Sequence, residues 1–247
     1  MVQIFEDSSA ISAAAAELFI KLAETAIAEN GKFTVALTGG TSPEKLYSTL
    51  ADPEAQHQID WNKVYLFWGD ERWVPLDDDQ SNGKMANRTF IDKLPIPKDH
   101  IFYMWSPDKS PEEFAEVYEE QVRQVLGESL QFDLILLGMG PDGHTASLFP
   151  HQAVVHEKEK LVAAYYLAPQ SMYRITLTEP LINKAKHIVV MLYGENKAHA
   201  LHEVLEGERN PEQYPAQLLQ PANGYITWLV DKAAASELKS TNKDSNN

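Results

Sequence analysis

Apolar positions recur along the chain with two different periods. From Ser8 to Asn30, Ile11, Ala15, Leu18, Phe19, Leu22 and Ala26 follow helical spacing, with Ser8 or Ser9 as the capping residue and Gly31 as the stop. Short, nearly continuous apolar runs at Phe33–Leu37, Val64–Trp68 and 132–137 predict strands buried on both faces. Residues 161–167, 174–178, 188–193 and 225–230 predict further strands. Helices are predicted between them. One is capped by Ser42 ahead of Pro43 and runs to Leu50, and another lies over 81–94. A third opens at Ser110-Pro111-Glu112-Glu113 and sets Phe114, Val117, Tyr118, Val122 and Val125 on one face, and a fourth covers 196–205. Asp70 to Asp79 reads as an acidic loop. Apolar strands alternating with helices specify an α/β fold, a Rossmann-like, mostly parallel sheet with helices on both faces. Such sheets bind ligands beyond the carboxyl ends of their strands.

Composition adds boundaries to this picture. The 247 residues are 44% hydrophobic and 23% charged, ordinary globular usage, and they predict one domain over 1–235 followed by a polar, disordered tail over 236–247. There is no cysteine, so disulfides, thiolate metal sites and a cysteine nucleophile are excluded. A net charge of −15 argues against nucleic acid and against a polybasic membrane surface as partners. Met1 to Asp7 carries two acids and no Lys or Arg, unlike a secretory signal, and no run is apolar enough to cross a bilayer; the expected location is the cytoplasm. An acidic chain that binds an anion must do so with local groups, which makes each cation near a glycine loop informative.

Three glycine-containing or polar segments leave three strands directly, at Gly39, Gly69 and Gly138. Gly39-Gly40-Thr41-Ser42-Pro43 combines close backbone approach, two hydroxyls and a helix N-terminus, a phosphate-binding arrangement that is neither a Walker loop nor a dinucleotide fingerprint. In Gly69-Asp70-Glu71-Arg72, Arg72 can bind a phosphate or carbonyl oxygen, with Asp70 and Glu71 to orient it. In Gly138-Met139-Gly140-Pro141-Asp142-Gly143-His144, His144 enters the cleft as a candidate general base. Asp142, two residues before it, is placed behind the histidine without a firm role as its orienting partner. His199 and His202 share a helix face but have no third ligand at metal spacing, and Asp77-Asp78-Asp79 reads as solvated loop, so no metal site is expected. No Gly-x-Ser-x-Gly elbow is present.

Taken with Thr38 and with Thr145-Ala146-Ser147-Leu148-Phe149-Pro150, these three segments resemble the signatures of the 6-phosphogluconolactonase family, and so do Arg174-Ile175-Thr176-Leu177-Thr178 and Gly194-Glu195-Asn196-Lys197-Ala198. The resemblance runs in order from Phe5 to Asp231. It implies hydrolysis of a phosphosugar lactone, 6-phospho-D-glucono-1,5-lactone, in the oxidative pentose phosphate pathway, with no metal and no other cofactor, on a fold shared with glucosamine-6-phosphate deaminases. It further implies His144 as base, Arg72 and Asp142 beside it, and a phosphate cradle of Gly39, Gly40, Thr41 and Ser42 with positive charge from Lys197 and Arg174. Two alternatives share the fold. Deaminases resemble one another in an acidic residue a few positions after this histidine, where the present chain has Ser147-Leu148-Phe149-Pro150. Sugar-phosphate-sensing domains of regulators carry a basic helix-turn-helix segment, for which an acidic chain whose first helix begins at Ser8 leaves no room.

Overall fold

The computed structural model describes residues 1–239, apart from the side chain of Ser42. Its elements are, in order, β1 (Val2–Phe5), α1 (Ser8–Asn30), β2 (Phe33–Leu37), α2 (Thr41–Leu50), α3 (Pro53–Gln56), β3 (Val64–Trp68), β4 (Asp70–Arg72), α4 (Asn82–Thr89), α5 (Pro111–Leu126), β5 (Leu134–Leu137), β6 (Val162–Leu167), β7 (Met172–Leu177), α6 (Glu179–Ile182), β8 (His187–Leu192), α7 (Ala198–Glu206) and β9 (Tyr225–Asp231). Six strands form a parallel sheet in the order β1-β9-β8-β5-β2-β3. Both faces are covered. Phe19 of α1 packs edge-on against Phe33 at 5.2 Å on one side, and Tyr118 of α5 meets Phe67 at 5.9 Å on the other. Alternation along paired strands puts Phe33 and Phe67 on opposite faces, because Phe33 sits opposite Val64 and Phe67 opposite Ala36. The expected fold class is the observed one.

The expectation that 161–167 and 174–178 continue this sheet is corrected. β6 and β7 pair antiparallel with each other, and β7 pairs antiparallel with β4, in a separate three-stranded sheet. The reason is the connection: Ala168 to Ser171 is far too short for a parallel crossover. The acidic loop after Trp68 is corrected with it, since Asp70, Glu71 and Arg72 are the edge strand β4. β1 carried no expectation and lies at one edge of the large sheet.

Local chemistry explains the helix ends. The cap of α1 is Asp7, not Ser8 or Ser9; its carboxylate accepts from the N–H groups of Ser9 and Ala10, and Gly31 ends the helix in the left-handed region at φ 74°. α2 starts from Gly40 without a side-chain cap, so Ser42 does not fill that role. α5 carries the full capping box between Ser110 and Glu113. α4 stops at Thr89, short of the expected residue 94, and α7 begins at Ala198, after a 3-10 turn over Glu195–Lys197. Of the tail expected over 236–247, Leu238 is 2% exposed and belongs to the core, and residues 240–247 lie outside the described residues.

One hydrophobic cluster runs from Ile11 to Leu238. At the amino ends of the central strands it is tied by a buried polar knot. Asp133 accepts from the N–H and hydroxyl of Thr34 at 2.8 and 2.9 Å and from the Lys186 ammonium at 2.8 Å. Asp133→Ala leaves a buried N–H and a cation without their acceptor, and is expected to cost about 2–3 kcal/mol. The knot lies at the opposite end of the sheet from the glycine loops. Urea denaturation should report the loss, while activity per folded molecule should stay unchanged.

Candidate active site

Strands β2, β3 and β5 end at one level, and the segments that leave them meet in a cleft of about 560 Å³. Its wall includes Gly39, Gly40 and Thr41 from the first segment, Asp70 and Arg72 from the second, Gly138, Gly140 and His144 from the third, and Arg174, Tyr193 and Lys197 from elsewhere in the chain. Most of the site residues expected from sequence are therefore brought together. Glu71 and Asp142 are not in the wall, and the Ser42 side chain lies outside the described residues.

The first segment is pinned at its root by Tyr47, whose buried hydroxyl donates to the Thr38 carbonyl at 2.8 Å and accepts from the Thr38 N–H at 3.0 Å. Glycine is required at both following positions, for different reasons. A Cβ on Gly39 would stand 1.8 Å from the amide oxygen of Asn82, and Gly40 has φ 91°. Asn82 itself donates to the Asp70 carbonyl at 2.9 Å, so this amide ties the first segment to the second. The N-cap of α2 is Gly40, which brings no side chain to the N–H groups of the first turn at the positive end of the helix dipole.

Glu71, expected among the substrate-binding groups, faces inward. It is 2% exposed, and its carboxylate accepts from the N–H groups of Arg72, Asn82 and Gly83 and from the Ser81 hydroxyl, at 2.8 to 3.1 Å. It caps α4 and thereby places Asn82. Burial pushes its carboxyl up to about 7, against the pull of the three backbone donors. Asp70 does line the cleft. It accepts from the Ser147 hydroxyl at 2.6 Å and stands 3.9 Å from Arg174. Arg72 donates to the Gln80 carbonyl at 2.8 Å.

The third segment makes a compact turn. The Gly140 N–H donates to the His144 carbonyl at 2.9 Å, the Gly143 N–H donates to the Gly140 carbonyl at 3.1 Å, and Gly143 has φ 77°. The turn brings Asp142 back onto the histidine, with Oδ1 2.5 Å from His144 Nδ1 and 3.2 Å from its backbone N. The pair that sequence spacing did not assign is thus a direct hydrogen bond. Burial raises the Asp142 carboxyl, but the hydrogen bond and charge of His144 outweigh it and hold the group below the usual carboxylate range. An ionised carboxylate only accepts, so Nδ1 carries the proton and Nε2 is left as the basic nitrogen. Phe149 stacks on the imidazole at 4.0 Å, and Ala146 two residues beyond the histidine holds φ 47°. Sequence alone assigns no role to Phe149 and Ser147, which stand inside a recognised motif, or to Asn82 and to Gln170, whose amide oxygen accepts from Arg174.

Lys197 closes the other side. Burial lowers its ammonium from the ordinary lysine value, while the charge of Asp142 acts the other way. Its Nζ has no hydrogen-bond or salt-bridge partner among the described residues. No group of three or more His, Asp or Glu among the described residues is placed to hold a metal ion, and no helix among them is long and apolar enough to cross a membrane.

The chain is similar to known proteins over most of its length. A family model described as glucosamine-6-phosphate isomerases/6-phosphogluconolactonase matches residues 6–228. The 6-phosphogluconolactonase of Synechocystis sp. is 41% identical over 218 residues, covering 87% of this chain and 88% of the relative. That of Nostoc sp. is 36% identical over 241 residues, covering 96% and 98%. The crystal structure of 6-phosphogluconolactonase from Thermotoga maritima superposes with a TM-score of 0.81 at 30% identity, covering 94% of this chain and 99% of that one.

The turn that carries the histidine gives a direct test. A Cβ on Gly140 would stand 2.1 Å from His144 Nδ1 and 2.5 Å from Asp142 Oδ1, inside the hydrogen-bonded pair. Gly140→Ala is expected to push the two apart and lower turnover by about a hundredfold, the scale of a misplaced catalytic group. Its thermal midpoint should stay close to that of the parent, and initial rates measured beside melting curves would separate the two effects.

Proposed function

The chain belongs to the glucosamine-6-phosphate isomerase/6-phosphogluconolactonase family, and from that premise we propose how it acts as a 6-phosphogluconolactonase, hydrolysing 6-phospho-D-glucono-1,5-lactone to 6-phosphogluconate in the pentose phosphate pathway. One observation carries the reading. A histidine oriented by a carboxylate shares a cleft with a helix N-terminus whose cap is a glycine and with a lysine ammonium that has no partner among the described residues. A base and an anion site together suit a phosphorylated ester.

The phosphate lies against the N–H groups from Gly40 into α2, with the Thr41 hydroxyl and Lys197 supplying further contacts; Arg72 borders the same end of the cleft. This leaves the lactone carbonyl toward His144. Nε2 takes one proton from a water as its oxygen bonds to C1. The tetrahedral intermediate collapses with cleavage of the bond between C1 and the ring oxygen, and the imidazolium returns that proton to the ring oxygen. The new carboxylic acid then ionises to solvent. Asp142 keeps the proton on Nδ1 and stabilises the transient imidazolium. Deaminase chemistry has less support here. Where that reaction draws on an acidic residue beyond the histidine, Ser147 is buried on Asp70 and Phe149 covers the imidazole face.

Purified protein should open fresh 6-phosphogluconolactone well above the spontaneous rate and leave glucosamine 6-phosphate unchanged. His144→Ala is expected to lose about two to four orders of magnitude in kcat with the fold retained. Near-normal turnover in a folded variant would remove the base assignment.

Lys197→Ala tests the other pole. Loss of a charged hydrogen bond worth about 1.5–3 kcal/mol should raise KM for the phosphorylated lactone by roughly tenfold to a hundredfold. KM for unphosphorylated gluconolactone should hardly move. Equal effects on both substrates would show that Lys197 does not read the phosphate.

A further inference from the structure

Arg174 is a buried charge whose donors are only partly used. Its side chain is 6% exposed, yet among the described residues Nε has no hydrogen-bond partner. One terminal nitrogen donates to the Gln170 amide oxygen, and the other stands 3.9 Å from Asp70, beyond hydrogen-bonding distance. Asp70 is itself occupied by the Ser147 hydroxyl. Burying a guanidinium with its donors unspent is costly, and a planar fork of N–H groups finds its best complement in a carboxylate. The cleft wall includes this residue, so the missing acceptor arrives from the cleft.

Position decides which acceptor. Arg174 lies opposite Arg72 in the register of β4 and β7, but the two serve different ends of the cleft. Arg72 also borders the recess beside Gly40 and Thr41, whereas the Arg174 guanidinium sits 5.6 Å from the ring centre of Phe149, the ring that stacks on His144. Arg174 is therefore one aromatic ring away from the base and belongs to the reacting end.

We propose that Arg174 binds the oxygens at C1, first the oxyanion of the tetrahedral intermediate and then the carboxylate of the product, as a catalytic residue distinct from the phosphate-binding group. The proposal rests on the lactonase reading above. In the substrate C1 bears a neutral carbonyl; negative charge appears there only as water adds, and it returns when the product acid ionises. A cation matched to that charge favours the transition state over the ground state. It also leaves the enzyme with a measurable preference for an aldonate over an alditol. Asp70, near enough to offset the guanidinium charge but not to saturate its donors, limits that grip and lets the product leave.

Calorimetric titration with 6-phosphogluconate and with glucitol 6-phosphate, which carries a hydroxymethyl group in place of the carboxylate, tests this without turnover. The parent protein should bind the aldonate roughly tenfold to a hundredfold more tightly. Arg174→Gln should abolish that preference, leave the affinity for glucitol 6-phosphate unchanged, and lower kcat for the lactone far more than it raises KM. Arg174→Lys keeps the charge and loses the fork. It should fall between the two, and it carries the comparison if the glutamine variant does not fold. Equal affinity of the parent protein for both ligands, or a preference undiminished in the variants, overturns the assignment while lactone turnover leaves the lactonase reading standing. Absence of lactone turnover by the parent protein overturns that reading and this one with it.

Discussion

The peptide of Gly69 joins the two sheets, and the cleft depends on it. Its N–H donates to the Leu37 carbonyl at 2.7 Å, continuing the parallel pairing of β2 with β3, and its carbonyl accepts from the Leu177 N–H at 2.8 Å, where antiparallel pairing with β7 begins. One residue thus ends the large sheet and starts the small one. Everything beyond it is fixed by register: Asp70 opposite Thr176, and Arg72 opposite Arg174. Asn82, bonded to the Asp70 carbonyl and pressed on Gly39, carries the same constraint back to the first glycine segment. The geometry is set by backbone pairing, the most directional interaction available, so the side chains need supply only chemistry.

Charge is distributed in keeping with that division. The chain carries −15 overall, yet three of its cations, Arg72, Arg174 and Lys197, line one cleft. The carboxylates closest to them are already committed. Glu71 is spent on α4, Asp70 on Ser147, and Asp142 on His144. Their commitment leaves donors in the cleft for a ligand, while acids such as Asp77 and Asp79 lie in solvent, where a single charge affects the site weakly.

The sequence made the large sheet readable because strands buried on both faces must be apolar without interruption, as Phe33–Leu37 and Val64–Trp68 are. Glycine segments at the ends of such strands located the cleft for the same reason. What stayed hidden was polar or long-range. Asp70-Glu71-Arg72 looks like loop because its strand character comes from pairing with a segment about a hundred residues away, and Glu71 looks like a ligand because three of its four donors lie ten and more residues downstream. The bond from Asp142 to His144 closes over two residues only through the backbone turn at Gly143, a conformation that spacing does not disclose. The depth of Arg174 and its unspent donors required the packed small sheet around it.

His144 sits between two left-handed residues, Gly143 at φ 77° and Ala146 at φ 47°, with its ring held by Asp142 and Phe149. An alanine in that region is strained, and the strain is met by the surrounding turn before any ligand arrives. A lactone opens unaided in water, so a protein that handles one competes with solvent for each molecule. Under that competition the time lost between encounter and reaction matters more than the depth of binding. With His144 as the proposed base, a ring already held by Asp142 and Phe149 needs no rearrangement after contact, which favours fast capture.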